Sequence, residues 1–112
     1  MAILSVNYTN LDYEKMAKAI GLKSKHMPML LESFLEEASI SVIKLDTAIT
    51  ANDLVNIAAD AHAIKGSAGN LRLNELYEMS KDMELAAKAN DADFDYNGHL
   101  SAVKSAMDTI TL

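Results

Sequence analysis

Apolar residues recur every three or four positions along most of this chain, and side chains at that spacing share one face of an α-helix. Four stretches keep the pattern long enough to predict helices of several turns, at about residues 25–51, 53–71, 74–90 and 95–111. A shorter amphipathic stretch at about 12–20 predicts a cap helix that covers one end of a larger structure. Residues 1–9 lack the pattern and are expected to be irregular.

Residues that commonly begin or end helices separate these stretches. Gly and Asn favour the position after a helix, whereas Ser, Asp and Asn favour the position before one. The pattern assigns helix ends to Gly21, Ser24, Asn52, Asp53 and Asn74. Proline is tolerated only in the first turn of a helix, so the second helix is expected to begin between Ser24 and Pro28. Gly98 is expected to be a weak point near the start of the last helix.

The connections between the predicted helices are short and polar, and short connections place sequential helices side by side and antiparallel. The sequence therefore predicts an all-α protein: an antiparallel, up-down-up-down four-helix bundle with a short N-terminal cap helix. With 4 Gly and 1 Pro, the chain has too few turn residues for an all-β protein. Neither a repeat nor a linker divides it, so residues 1–112 are expected to form a single domain.

The composition narrows the possible classes of function. The chain has no cysteine, which excludes disulfides, thiolate metal sites and a cysteine nucleophile. Its net charge of -6 disfavours nucleic acid and anionic membranes as partners, because both bind clustered Lys and Arg. No apolar run approaches the ~20 residues of a membrane span, and the first residues lack the basic start of a signal peptide. A cytoplasmic location is therefore expected.

The third predicted helix carries its apolar residues in a narrow stripe. The stripe has the spacing of a seam packed inside a bundle, and it consists of Leu54, Ile57, Ala61, Ile64, Ala68 and Leu71. At about 100° per residue, His62 lies roughly 130° from the middle of this seam. Its imidazole is therefore expected to face solvent.

The side chains expected around His62 are small for a solvent face, with one exception. They belong to Val55, Ala58, Ala59, Lys65, Gly66 and Gly69. Each glycine inside a helix costs about 1 kcal/mol relative to alanine, so small residues here indicate a surface that another molecule approaches closely. Lys65 lies beside His62, and its ammonium group would favour an anion on the imidazole. The alternative is an ordinary surface histidine on an alanine-rich helix.

Other candidate sites lack the geometry that their chemistry needs. His26 and His99 have no partner three or four residues further along the chain and are expected to be surface residues. The pattern Glu-x-x-His is absent, so the sequence does not support a carboxylate-bridged metal site in the bundle. Ser67 has no basic partner at triad spacing and is not expected to be a nucleophile. We expect no metal site in this chain.

The residues from His62 onward follow a recognisable order: His, any residue, an aliphatic residue, Lys, Gly and then small residues. The residues in this order are His62, Ile64, Lys65, Gly66, Ser67 and Ala68. The order resembles the signature of histidine-containing phosphotransfer (HPt) domains. Further matches to that family flank it, at Leu31, Phe34, Leu35, Ala38, Leu73, Leu76, Met83 and Glu84. The predicted helix layout also agrees, so the resemblance covers nearly the whole chain.

One position departs from this resemblance. Many HPt domains carry a further glycine ten residues after the histidine, where this chain has Arg72. This position lies near the end of the third predicted helix and does not touch the histidine. We therefore expect Arg72 to affect the helix end or the choice of partner, not the chemistry at His62.

The resemblance implies a phosphorelay shuttle. His62 would be the phosphoacceptor, attacking an aspartyl phosphate of a receiver domain through its outward Nε2 and passing the phosphoryl group to a second receiver. Lys65 would help to neutralise the phosphoryl group, and Gly66 would keep the approach to His62 open. The docking surface would include Val55, Ala58, Ala59 and Gly69.

The implied partners are response-regulator receiver domains and a sensor histidine kinase, which can be a hybrid kinase. The chain has no Gly-x-x-x-x-Gly-Lys-Ser/Thr loop for nucleotides, so it is expected to be a phosphocarrier and not a kinase. We expect no cofactor bound by this chain, with Mg²⁺ supplied by the receiver, and no nucleic acid or membrane partner. A monomer is expected, because the sequence shows no additional apolar stripe.

Two other interpretations stay open at this point. The first is a non-catalytic adaptor that keeps the fold and works by docking alone, although His62 and Lys65 together disfavour it. The second is an HPt segment of a larger sensor or chemotaxis kinase. Met1 and the lack of a kinase core favour a stand-alone chain over this second interpretation.

Overall fold

The computed structural model describes residues 5–112, and the regular secondary structure in this part of the chain is entirely helical. Its α-helices are α1 Tyr13–Ala19, α2 Met27–Thr50, α3 Leu54–Asn70, α4 Asn74–Lys88 and α5 Tyr96–Asp108. A single 3₁₀ turn, Ser24–His26, precedes α2. The prediction of an all-α fold is thereby confirmed for the described residues. Within them, no helix has an apolar stretch that is long enough to cross a membrane.

The segment before α1 is irregular over residues 5–9, as predicted, and residues 1–4 lie outside the described part. This segment is nevertheless tied to the helices. Tyr8 is buried, and its hydroxyl donates to Glu75 Oε1 at 2.9 Å and accepts from the N–H of Leu76 at 3.3 Å. Its own backbone N–H donates to Thr109 Oγ1 at 2.8 Å. Tyr8 therefore joins the start of α4 to the end of α5.

The four long helices enclose one apolar core. Helix α3 packs against α2 and α4, and α5 packs against the same two helices. The short α1 contacts the 3₁₀ turn and α2. The seam predicted on α3 is confirmed, since Ile57, Ala61, Ile64 and Ala68 have almost no exposed surface. Burying a Leu or Ile side chain contributes about 1.5–3 kcal/mol, so these inward rows hold α3 in a defined rotation.

Aspartate side chains cap three of the helices. Asp12, Asp53 and Asp95 accept hydrogen bonds from backbone N–H groups in the first turns of α1, α3 and α5. The prediction that Asp53 begins α3 is confirmed. At Gly98, in the first turn of α5, a Cβ would clash with the carboxylate of Asp95. Glycine leaves the space that the capping carboxylate of α5 needs.

Two predicted caps are wrong. Ser24 begins the 3₁₀ turn, and α2 begins at Met27 without a side-chain cap. An α-helix that followed a Ser24 cap would need an N–H at Pro28 to reach the carbonyl of Ser24, and proline has none. Asn74 is the first residue of α4 and not its cap. The residue before it, Leu73, is buried in the core, and its packing sets the entry of the chain into α4.

The prediction that His99 is a surface residue is also wrong. Its side chain is buried on the inner face of α5, with its ring centroid 4.5 Å from that of Phe94. Its Nδ1 lies 3.0 Å from the backbone oxygen of Asp95. The position falls directly before Leu100 on the face that packs against α2 and α4, which places a polar ring in an apolar row. His26 is half-buried beside the start of α2.

Candidate functional site

His62 stands on the outer face of α3, opposite the buried seam. The residue before it, Ala61, is fully buried, whereas the side chain of His62 is 65% exposed. Helical geometry produces this contrast, because neighbouring residues on a helix point about 100° apart. The predicted orientation of the imidazole is therefore confirmed.

A buried carboxylate lies under this imidazole. Glu84 extends from α4 with only 2% of its side chain exposed, and its Oε2 is 2.8 Å from His62 Nδ1. The same oxygen is 3.0 Å from Lys88 Nζ, and Oε1 is 2.6 Å from Lys65 Nζ. One carboxylate thus links three basic side chains on two helices. We call these four residues the Glu84 cluster.

The charges in the Glu84 cluster stabilise one another. Burial alone would raise the pKa of Glu84, but its hydrogen bonds with Lys65, Lys88 and His62 outweigh burial and lower that pKa to about 2. The hydrogen bond with Glu84 also raises the pKa of Lys65. At neutral pH the cluster therefore holds an ionised carboxylate and a protonated Lys65.

The ionised Glu84 determines which nitrogen of His62 is free. A carboxylate without a proton only accepts hydrogen bonds, so Nδ1 of His62 carries the hydrogen that Glu84 receives. In the neutral ring the lone pair then belongs to Nε2, which points away from Glu84. The site therefore presents an exposed, oriented imidazole nitrogen that is available as a nucleophile.

The surface next to His62 is open and apolar. A Cβ added at Gly66 would meet nothing within 4 Å, so the space above this turn of α3 is free. Beside it, α3 and α4 form a shallow cavity of about 550 Å³ that reaches His62 and Glu84. Its other lining residues are Leu54, Val55, Ala58, Ala59, Ala87, Lys88 and Asn90. The turn of α3 that carries His62 therefore borders free space and an apolar cavity.

Two of the predicted docking residues occupy other positions than expected. Ala58 is buried and forms the floor of the cavity, whereas Val55 is 80% exposed and Ala59 is exposed at its edge. Gly69 is half-buried, and a Cβ there would lie 3.1 Å from Cδ2 of Tyr77 on α4. The missing side chain of Gly69 therefore allows α3 and α4 to approach, and Gly69 also lines a shallow cavity on this side of α3.

Glu84 and Lys88 are not among the site residues predicted from the sequence. Glu84 occurs in the inward row of α4, directly after the buried Met83 and before the buried Ala86 and Ala87. A charged residue in such a row needs a partner, and Lys88 follows it at the i,i+4 spacing that brings such pairs together. This signal was available in the sequence. Contacts from Glu84 to Lys65 and His62 on α3 depend on how the helices pack.

Acid is expected to destabilise the protein through Glu84. Its pKa is about 2 in the folded chain against 4.5 for the free side chain, so the stabilisation is complete above pH 4.5 and is lost as the pH falls towards 2. The shift corresponds to about 3 kcal/mol of unfolding free energy. Urea unfolding followed by circular dichroism from pH 7 to pH 2 measures this loss. The Glu84→Gln variant lacks the titrating group and should lose less stability over the same range, so equal losses would contradict the assignment.

The geometry agrees with what comparison with known families finds. A family model for the Hpt domain matches residues 29–110, which is most of the chain. The chain belongs to the Hpt domain family. No curated protein and no solved structure matches it. Hpt domains are phosphocarriers and not kinases, and they interact with kinases and receiver domains. The chain therefore has a phosphotransfer role in two-component signalling.

Proposed function

We propose that His62 is the phosphoacceptor of a phosphorelay. It accepts a phosphoryl group from the aspartyl phosphate of a receiver domain, or from a kinase, and passes it to the receiver of a response regulator. The observation that supports this proposal most strongly is the hydrogen bond between Glu84 and His62 Nδ1, which leaves Nε2 exposed. The short connections between helices favour an antiparallel, up-down-up-down bundle as the framework.

The transfer step uses the lone pair of His62 Nε2. It attacks phosphorus in line, the bond from phosphorus to the aspartyl oxygen breaks, and the aspartate leaves as a carboxylate with the bonding electrons. The proton on Nδ1 stays in its hydrogen bond to Glu84. The phosphorylated ring then carries positive charge, which the Glu84 carboxylate stabilises. Attack by an aspartate of the next receiver reverses these bonds and releases His62.

Lys65 and Lys88 neutralise the charge of the incoming phosphoryl group in this proposal. Each ammonium group has three N–H donors, and the contact with Glu84 uses one of them. The remaining donors are free for phosphoryl oxygens. Lys88 is the more exposed of the two lysines, so its ammonium group can contact a phosphoryl group that arrives from outside the bundle.

The receiver docks over Gly66 and the cavity between α3 and α4. Val55 and Ala59 offer apolar contact at the edge of that cavity, with Ala58 as its floor. Gly69 supports this surface indirectly by letting Tyr77 pack closely. The kinase that loads the relay is expected to use the same face, because it must reach the same nitrogen.

We expect the Mg²⁺ of the transfer reaction to come with the receiver domain. Within residues 5–112, no group of three or more His, Cys, Asp or Glu side chains is placed to hold a metal ion. What this chain contributes is the imidazole, the Glu84 hydrogen bond and the two lysine ammonium groups.

The direct test is a phosphotransfer assay. The purified chain is mixed with receiver domains that carry labelled phosphate, in the presence of Mg²⁺, and the label on each protein is followed with time. Label that moves to this chain and is acid-labile but base-stable identifies a phosphohistidine. If a broad panel of receivers transfers nothing, and phosphoramidate as a small donor also labels nothing, the proposal is wrong and a docking-only adaptor takes its place.

Removing the Glu84 carboxylate is expected to slow transfer while His62 is still present. In Glu84→Ala, the ring loses its hydrogen bond and the stabilisation of its charged, phosphorylated form. A hydrogen bond to a charged group contributes about 1.5–3 kcal/mol, so the transfer rate should fall roughly tenfold or more. Initial rates of label transfer measure this effect.

The matched control is Glu78→Ala, which removes an exposed carboxylate from the same helix. It should transfer at the wild-type rate. Circular dichroism shows whether each variant is folded, and Glu84→Gln provides a second variant that keeps the volume of the side chain. Wild-type rates in folded Glu84→Ala would contradict the role of Glu84 in positioning the imidazole.

A further inference from the structure

The second residue after α3 has an unusual backbone conformation for its type. The second residue after each of the helices α1 to α4 has positive φ, and three of these residues are Gly21, Asn52 and Asn90. Glycine and asparagine adopt this left-handed conformation readily, which is why they commonly end helices. The fourth is Arg72, with φ of 61°. Local backbone energy does not favour arginine here, so its side chain needs another explanation.

The guanidinium of Arg72 turns back over the end of α3. Its Nη1 donates to the backbone oxygen of Gly69 at 3.0 Å, which holds it on the side of α3 that carries Gly66 and Lys65. In the part of the chain that the structure describes, the ion pairs of Lys65 and Lys88 are both with Glu84, and Arg72 forms none. The charge of Arg72 is therefore held in place without a carboxylate partner.

Arg72 borders a second shallow cavity, of about 440 Å³, which begins at Gly66. Its lining side chains belong to two cations, Lys65 and Arg72, and to the uncharged polar residues Asn70, Asn74 and Tyr77. None of the described residues that line this cavity is acidic, although the whole chain has a net charge of -6. The cavity therefore favours a group that accepts hydrogen bonds and carries negative charge.

One acidic residue lies on the far side of Arg72. Asp12 lines a separate cavity that Arg72 also borders. The carboxylate of Asp12 already caps α1, where it accepts a hydrogen bond from the backbone N–H of Lys15 at 3.1 Å. It does not form an ion pair with Arg72 within the described residues. Arg72 therefore stays available to a group that approaches from the Gly66 side.

The distance from His62 limits what Arg72 can touch. Ten residues separate them, which corresponds to roughly 15 Å along a helix. Arg72 cannot reach a phosphoryl group on His62, but a protein that docks over Gly66 would extend across this cavity.

We propose that Arg72 selects the partner by binding a carboxylate side chain on the surface of the receiver domain. This inference rests on the proposed function of His62.

The test compares variants that separate charge from backbone conformation. Arg72→Gln keeps a polar side chain and the left-handed strain but removes the charge, and Arg72→Lys keeps the charge. The donor is the phosphorylated receiver that transfers fastest to the wild-type chain. We expect Arg72→Gln to raise the receiver concentration at half-maximal rate about fivefold without changing the maximal rate, and Arg72→Lys to resemble the wild type. At roughly 0.5 M salt, which screens the pair, the difference should disappear.

A third variant tests the cost of the backbone conformation. Arg72→Gly relieves the strain at positive φ, so its melting temperature should rise by roughly 4 °C. It should nevertheless show the weakened docking of Arg72→Gln. A variant that is more stable and docks less well would show that Arg72 is kept for the partner and not for the fold.

Labelling by phosphoramidate separates the possible failures. All Arg72 variants should accept phosphate from this small donor at the wild-type rate. Slower labelling would mean that Arg72 acts on the phosphoryl group. Unchanged docking in Arg72→Gln would mean that Arg72 binds no partner carboxylate. Either result overturns this inference and leaves the proposed function of His62 unaffected. If phosphoramidate labels the chain but no receiver does, a receiver is not the partner and this inference is wrong. His62 would still be the phosphoacceptor. No labelling from either donor overturns the proposed function as well.

Discussion

Replacing His62 by glutamine is expected to abolish phosphotransfer and leave the fold intact. An amide nitrogen has no lone pair available for attack on phosphorus, so the variant has no nucleophile at this position. The glutamine N–H₂ group can still donate to Glu84, so the Glu84 cluster keeps its packing. Because His62 is largely exposed, stability should change by only about 0.5 kcal/mol. The label-transfer assay and circular dichroism measure the two effects on the same samples.

The matched control for this variant is His26→Gln. His26 is half-buried beside the start of α2 and has no part in the Glu84 cluster, so its replacement should leave transfer unchanged. Both variants are also treated with phosphoramidate, which needs no docking. Acid-labile label on His62→Gln would mean that another residue accepts the phosphoryl group, and the assignment of His62 would be wrong.

Placing arginine at Gly66 is expected to block receiver docking while His62 and its hydrogen bond to Glu84 remain. Gly66 lies one turn after His62, and the space above it is empty. A long cationic side chain there projects into the volume that a docking protein must occupy. We expect transfer from receivers to fall roughly a hundredfold, which corresponds to a docking cost of about 3 kcal/mol from the clash. Labelling by phosphoramidate should fall much less, because a small donor can pass beside the new side chain.

Alanine at the same position separates steric blocking from helix stability. Gly66→Ala adds a Cβ in open space, so it should stabilise α3 by about 1 kcal/mol and keep most of the transfer activity. Gly69→Ala should not stabilise the protein in this way, because its Cβ would press on the ring of Tyr77 at 3.1 Å. Thermal unfolding of the two alanine variants tests this contrast. Wild-type transfer rates in Gly66→Arg would show that receivers do not dock over this turn.

The Glu84 cluster combines two requirements of a phosphocarrier in one small group. Its single carboxylate holds the imidazole in one orientation, and its two ammonium groups more than balance that carboxylate. With a neutral His62 the cluster carries a net positive charge of about one, which favours an arriving phosphoryl group. The low pKa of Glu84 keeps this balance across the physiological pH range.

Much of the fold could be predicted from local patterns. The seam on α3 follows from a spacing of three and four residues, and burial of Ile57, Ala61 and Ile64 confirms it. Gly21 and Asp53 were recognised as helix ends because each has a conformation or a side chain suited to that position. Ser24 and Asn74 were misassigned, because packing and the missing N–H of Pro28 decided those ends.

The same periodicity that buries Ala61 turns His62 outward, so the exposed imidazole was determined by the sequence itself. The neighbours of that imidazole were not. How deeply Ala58 is buried, how closely Tyr77 packs on Gly69, and whether His99 is exposed all depend on how close α3, α4 and α5 lie to their neighbours. The contact of Glu84 with His62 and Lys65 joins residues on different helices. A pattern along one helix specifies directions around its own axis, and only the packing of two helices decides which side chains meet.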